Sequence, residues 1–336
     1  MTTAHPDAVW LSQVAGGLER YRAHPEWLAS PTSSVTGGGA IQAAEDRFAA
    51  HVGVADAVLM PSATYAMSAV LRAVGVGPGD EVIVPELDWC ANWAAVTAVG
   101  AQPAPTGVEP STLTLAPEAV GRAITAKTKA VIATHIHGVP ADVDGIVQQT
   151  GLPVIEDLTG AFGATLRGRP VGGLGHAAVL SLGPGKEIDC GEGAVVFTGE
   201  SALWEQLIAT TTHPVRQALS GLRSTAFGEF SVRVHPLAAV LALIGLDGWD
   251  ATERRERSRA AVTAARHAGL HPLVGGPERQ LATEWIPIRS GTGGGLADFA
   301  TRRSGARLLT AGGDFAPVAD IQLVNPVSRK ERTCPG

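Results

Sequence analysis

The lysine and the acid best suited to chemistry stand within one stretch of the chain. Between Val154 and Thr198 an apolar run ends in Glu156 and Asp157, and a second ends in Ser181. Lys186 follows in a tight setting of Gly183, Pro184 and Gly185, and a third apolar run begins after Gly191 and Gly193. An acid and a lysine, each at the end of a short apolar segment, are what a pyridoxal phosphate site requires. The amine forms a Schiff base with the aldehyde, and the carboxylate keeps the pyridine nitrogen protonated so that the ring accepts electrons. The lysine must also lose its proton in turn, which a desolvated, glycine-lined loop favours over an exposed helix. Taken locally, the same residues also suit a surface lysine in a Gly/Pro turn.

Other assignments fail on spacing. A nucleotide P-loop needs a glycine five positions before its Gly-Lys pair and Ser or Thr after it, where this sequence has Leu180 and Glu187. Gly173, Gly175 and Ala178 match the dinucleotide fingerprint letter by letter, but residues 177–182 read as a strand where that motif needs a helix. Cys90, Cys190 and Cys334 form no CxxC pair and no disulfide framework, and Cys190 reads as a small packed residue. His135 and His137 would point to one side of a strand, an HxH suited to a metal, yet no third ligand stands near and no metal is expected.

Stepping from these residues to their supports, 58–60 read as a buried strand, and Pro61-Ser62-Ala63-Thr64 breaks into a helix rich in Ala, Met and Leu. A strand, a small-residue turn and a helix N-terminus cradle a phosphate, because unpaired N–H groups and the helix dipole both favour an anion. Ser62 or Thr64 would serve equally as an N-cap. Strands are expected at 82–85, 102–107, 129–133 and 153–156, with helices around Trp93, near 117–124 and near 142–149. This alternation implies a mainly parallel sheet with helices on both faces, whose ligands gather beyond the carboxyl ends of the strands. Ser62, Trp89, Asp157, Ser181 and Lys186 all fall just past such ends.

The flanking chain divides into an N-terminal arm at 1–34, a large domain at 35–250, a small C-terminal α+β domain at 251–328 and a tail at 329–336. The arm carries Trp10, Trp27 and an amphipathic pattern through Leu11, Val14, Leu18 and Tyr21. A helix is expected at 202–209, then a polar connection to Phe227, a helix through Leu241 and Leu246, and a solvated helical face over 253–259. The small domain reads as a helix to Ala268, a strand at 281–288, a loop at 291–295, a helix at 296–303 and a strand at 321–324. With 336 residues, 45% of them hydrophobic and 17% charged, the chain can bury a large core. A net charge of −6 gives no basic footprint, so neither nucleic acid nor an anionic membrane is expected as a partner. No apolar stretch approaches the ~20 residues of a membrane span, and the first 30 residues lack a signal pattern, so a cytoplasmic location is expected.

The central stretch resembles the DegT/DnrJ/StrS-type family of pyridoxal-phosphate-dependent sugar aminotransferases. The resemblance rests on Glu156-Asp157, then Gly163-Ala164-Thr165, Gly168, Val171, Gly173 and Gly175, then Ser181, Pro184 and Lys186, then Gly191-Glu192-Gly193. Ser62-Ala63-Thr64, the aromatic Trp89 four residues after Pro85, and His135, Gly138, Pro140 and Asp142 extend it, while 230–239 match only loosely. The resemblance implies a type-I fold, a large domain with a smaller and here shortened C-terminal one, and a homodimer with shared active sites. It implies Lys186 as the Schiff-base lysine and proton shuttle, Asp157 as the pyridinium partner and Trp89 as the stacking residue. Ser62, Ala63, Thr64 and Ser181 would hold the phosphate, Thr159 would stand near the cofactor, and Ser231 would reach the neighbouring subunit's phosphate.

The sequence departs from that pattern at four places. Ala63 replaces a glycine, His137 a tyrosine, Ser231 an asparagine and Gly160 a long polar residue. His137 and Arg233 are candidates to face substrate. The implied activity is transfer of an amino group from an amino acid donor to a keto sugar, cyclitol or other natural-product intermediate. Lyase, cyclase or aldol-type chemistry on the same cofactor, and a non-catalytic partner subunit, are the alternatives these departures raise.

Overall fold

The apolar runs fold as strands and the periodic stretches between them as helices in a computed structural model. It describes residues 6–24, 33–222, 232–283, 285–289, 299–303, 307–309, 315–317 and 321–326. The chain forms two units, one of Met1–Gly75 with His176–Trp249 and one of Val76–Gly175 with Asp250–Gly336.

In the first unit the strand Ala194–Thr198 runs antiparallel to both Asp56–Met60 and Ala177–Ser181. All five of its residues are buried, as expected of a short apolar run covered on both faces. Phe197 meets Phe48 edge to face, with ring centroids 6.4 Å apart. Phe48 comes from the helix Ala40–Val52, which ends at Gly53 in the left-handed conformation, φ 83°. The helix Pro236–Asp247 is apolar nearly all round and buries Val240, Leu241, Leu243 and Leu246, which is why it packs between neighbours and not at the surface. Met60, Ala194 and Ser181 pair in one row. The turn after Met60 and the loop after Ser181 therefore leave this sheet at the same end.

In the second unit four parallel strands lie in the order Val154–Asp157, Thr128–Thr134, Glu81–Pro85 and Gln102–Thr106. Thr128–Thr134 is buried except at Lys129, the near-continuous apolar run of a central parallel strand. The helices Cys90–Ala98, Pro117–Ala123 and Val143–Thr150 follow three of these strands. Ile83, Val120, Val131, Val143, Ile146 and Val154 form a shared core. A second cluster, including Ala261, Ala265, Leu270, Ile286 and Ile288, seats the helix Ala251–His267 on the strand Ile286–Arg289. Asp250 caps that helix by accepting from the N–H groups of Thr252 and Glu253.

Four local expectations change. The helix expected at 296–303 is the strand Phe299–Arg303, paired antiparallel with Ile321–Pro326, which pairs with Ile286–Arg289 on its other side. The strand expected at 281–288 begins only at Ile286, because Leu281, Ala282 and Thr283 are buried without a ladder partner. The connection to Phe227 contains a helix, Pro214–Leu219, started by the His213 ring accepting from Val215 N–H and by proline in the first turn. His135 and His137 do not share a strand face: the strand ends at Thr134, and 136–138 form a tight turn with His137 at φ 53°. The loop at 291–295 and the tail at 329–336 lie outside the described residues.

Candidate active site

Each unit presents its own functional set at the end of its strands. In the first unit Ser62 is extended, φ −159°, and its Oγ accepts from Tyr65 N–H at 3.3 Å to open the helix Ala63–Ala73. Ala66 N–H already reaches the Ser62 carbonyl, so the N–H groups of Ala63 and Thr64 are those that a helix start leaves without an intrahelical acceptor. They point an 11-residue helix dipole at whatever anion sits there. Ala63 has ordinary helical backbone, so alanine costs this turn no conformational freedom.

Ser181 closes its strand, and the chain then makes a tight turn. Lys186 N–H donates to the Gly183 carbonyl at 3.2 Å, with Pro184 second and Gly185 third at φ 73°. Proline at the second place and a left-handed glycine at the third are the chemistry of a type II turn. Asp189 fastens the loop, one oxygen accepting from Gly185 N–H and the other from Gly191 N–H, both at 2.8 Å. Gly183 N–H approaches Ser181 Oγ at 3.4 Å. Lys186 is thus half-buried in a constrained turn and not on a mobile surface arm. Cys190 is buried, and burial pushes its thiol up to about 12, so it packs and does not attack. Arg233 is exposed and lines a small cavity with Pro61, Tyr65, His213 and Arg216, beside the Ser62 turn. Ser231 lies outside the described residues.

In the second unit Asp157 ends its strand opposite Thr134, half-buried. Its Oδ1 accepts from Thr159 N–H at 3.0 Å and its Oδ2 from Asn92 Nδ2 at 2.8 Å. Trp89 begins the helix Cys90–Ala98 and leaves 49% of its surface exposed, unusual for so large an aromatic in a packed frame. The preceding Asp88 is fully buried, and its Oδ1 accepts from Trp89 N–H at 2.7 Å. Burial first, and the nearby Asp157 charge second, push Asp88 up to about 8.

Glu156 holds the floor of this set. It accepts from Gly172, Leu174 and Gly175 N–H, each at 2.8 Å, and lies 2.9 Å from His135 Nε2. His135 Nδ1 accepts from Ala141 N–H, so its ring proton sits on Nε2 and points at Glu156. Both ring nitrogens are thereby occupied, which removes His135 as a metal ligand. Burial would raise Glu156, but the His135 hydrogen bond and the backbone N–H groups outweigh it and hold the acid below its usual range.

Gly160 and Gly138 pack backbone to backbone. A Cβ on Gly160 would come within 3.3 Å of Gly138 N, and one on Gly138 within 2.8 Å of the Gly160 carbonyl. Gly160 is therefore where close approach to the His137 turn needs it. His137, half-buried, is one of three non-glycine residues with positive φ among the described residues.

Asn92, Thr134, Asp88 and Asp189 were not marked by the sequence reading. The spacing of Asp88 and Asn92, one helical turn apart, and of Asp189 just before Gly191 were the available signals.

Comparison with known proteins gives one family. The family model described as the DegT/DnrJ/EryC1/StrS aminotransferase family matches residues 24–287. A dTDP-3-amino-3,4,6-trideoxy-alpha-D-glucose transaminase of Streptomyces venezuelae is 37% identical over 71% of this chain and 62% of its own length, so the chain spans less than two thirds of it. An L-glutamine:2-deoxy-scyllo-inosose aminotransferase of Streptomyces lividus is 32% identical over 97% of this chain and 81% of its own. Among solved structures, S. venezuelae DesV in complex with a ketimine intermediate superposes with a TM-score of 0.74 at 27% identity, over 95% of this chain and 94% of that one. The 3-amino-5-hydroxybenzoic acid synthase gives 0.71 at 28%, over 83% and 73%. These neighbours carry the α/β type-I fold expected from the alternating strands and helices. The chain belongs to the DegT/DnrJ/EryC1/StrS aminotransferase family.

Proposed function

We propose that this aminotransferase works with pyridoxal 5'-phosphate and moves an amino group from an amino acid donor to a keto sugar, cyclitol or similar natural-product intermediate. The observation that carries the reading is Asp157, whose two oxygens are each held by a hydrogen-bond donor, at the end of a parallel strand. Such an acid fits a protonated pyridine nitrogen, the exposed Trp89 face fits a flat cationic ring, and the Ala63 and Thr64 N–H groups fit a phosphate. When bound, the cofactor supplies an electron sink for the bonds at the substrate's amine carbon. The chain's residues then have distinct tasks. Lys186 Nζ would hold the aldehyde, and its amine would take and return the proton at the substrate's amine carbon. Asp157 would keep the ring nitrogen charged. Ser62, Ser181 and Ser231 add hydroxyl donors for the phosphate, Thr159 N–H steadies Asp157, and His137 and Arg233 face the substrate side. The similarity to inosose aminotransferases makes glutamine the first donor to try, with glutamate second. We assign the working form as a cytoplasmic homodimer with shared active sites. No helix among the described residues is long and apolar enough to cross a membrane.

The test is an absorption spectrum of the purified protein with added cofactor, with and without Lys186→Ala, followed by amino donors alone. The expected result is a visible band that the variant lacks and that donor alone abolishes. A wild-type protein without the band rejects the cofactor. A band that no donor discharges favours a second reading, non-transaminating chemistry on the same cofactor, to which Gly160 and the likeness to a synthase point.

A further inference from the structure

A buried polar cluster lies beneath Asp157, and of it only the Asn92 bond to Asp157 enters the activity above. Asn92, one turn into the helix after Trp89, has three oxygens within reach of its Nδ2: Asp157 Oδ2 at 2.8 Å, Asp88 Oδ2 at 3.0 Å and Thr134 Oγ1 at 3.2 Å. Thr134 Oγ1 donates to Asp88 Oδ2 at 3.0 Å. Asp88, Asn92 and Thr134 are all buried. Asp88 is itself anchored, because Trp89 N–H holds its Oδ1 and its backbone pairs with Arg307 in a short antiparallel ladder. Thr134 is anchored by the central strand that pairs it with Asp157.

We infer that Asp88, Asn92 and Thr134 are positioning residues, which fix the Oδ2 oxygen of Asp157 so that this acid meets its ligand as one immobile negative charge. A carboxylate at a strand end can turn about its side-chain bonds, and a cation gains most from one whose direction is settled beforehand. The Asn92 amide supplies that direction, and Asp88 and Thr134 hold the amide. Two carboxyl groups on one amide nitrogen are costly if both are charged. Of the groups facing Asp88, Asp157 is titratable, and Asn92, Thr134 and Trp89 N–H are neutral. Burial first and the nearby Asp157 second raise Asp88 to about 8, which favours the neutral form of Asp88 at neutral pH. The inference rests on the cofactor reading above only for the identity of the ligand.

Two measurements keep the two claims apart. In the cofactor-free protein, carbon-13 NMR of labelled aspartates follows the Asp88 carboxyl, which is expected to titrate near 8 and to move to lower pH in Asp157→Asn. An unmoved titration overturns the inference whether or not pyridoxal phosphate binds. In protein loaded with pyridoxal phosphate, Asn92→Ala is expected to raise the cofactor Kd by about ten-fold and to lower kcat, with the donor KM changed by less than about two-fold. Thr134→Val acts in the same direction, and Thr134→Ser, which keeps the hydroxyl, restores the wild-type Kd. Should Asn92→Ala fail to fold, Asn92→Ser carries the same comparison. A Kd within about two-fold of wild type in the folded Asn92 variant and in Thr134→Val overturns the inference. Failure of wild-type protein to bind pyridoxal phosphate rejects the cofactor and leaves the NMR result to decide.

Discussion

At Asp88 a carboxyl group sits out of water beside another acid, and its ionisation is linked to folding. Its folded value is raised to about 8 from 3.8, so between those values the unfolded chain has lost a proton that the folded chain keeps. Stability from this group is full below 3.8, falls as pH rises toward about 8 and is level above it. Asp88→Asn removes this slope, so the difference in Tm between variant and wild type is expected to shift in the variant's favour from acid to about pH 8. Glu156 has the opposite sign. Its folded value is lowered, so its stabilising share is present above the ordinary carboxylate range and lost as pH falls through the folded value. Glu156→Gln would set an amide N–H₂ against either the N–H groups of Leu174 and Gly175 or those of Gly172 and His135 Nε2. A loss of about 3 kcal/mol in urea unfolding is expected, since buried donors then lack a charged acceptor. The strand end at Asp157 and the turn at Lys186 were legible, because an apolar run and the Gly/Pro break after one both show in the sequence. The four-donor shell of Glu156 was not, because its donors are backbone N–H groups and a histidine from other parts of the chain.

At the scale of elements, two turns do most of the placing. The Gly183–Lys186 turn could be read from sequence, since Pro-Gly at its centre specifies the backbone. The His137 turn could not, because its shape depends on Gly160 across a backbone contact and on Thr283. Gly138 has φ 80°, and a Cβ there would meet Thr283 Cγ2 at 2.7 Å and the Gly160 carbonyl at 2.8 Å. Gly138→Ala is therefore expected to destabilise the protein by about 2 kcal/mol, read by urea unfolding, and to impair catalysis by displacing His137. The regular strands and helices around the site followed the apolar pattern closely. The misread elements were short: Phe299–Arg303 has no side-chain period of its own and is a strand because Ile321–Pro326 offers it a ladder. Pro214–Leu219 has six residues, too few for a helical pattern to show, and its proline and capping histidine were its only marks.

For the whole molecule, each unit draws on two stretches of chain separated by many residues, the first from 1–75 and 176–249 and the second from 76–175 and 250–336. Local patterns announce strands and turns but not such groupings, which arise from which apolar faces find each other. The proposed homodimer belongs to this scale as well, and light scattering is expected to give about twice the 34.5 kDa chain mass. The net charge of −6 suits the small-molecule ligands proposed for this protein. Asp189 ties Gly185 to Gly191 through its two oxygens, which closes the lysine turn into a small non-covalent ring. Proteases bind their targets stretched out, and a ring cannot be stretched without first being opened. Trypsin, which cuts after lysine, is thus expected to spare the bond following Lys186 in the native protein and to cleave it early in Asp189→Ala.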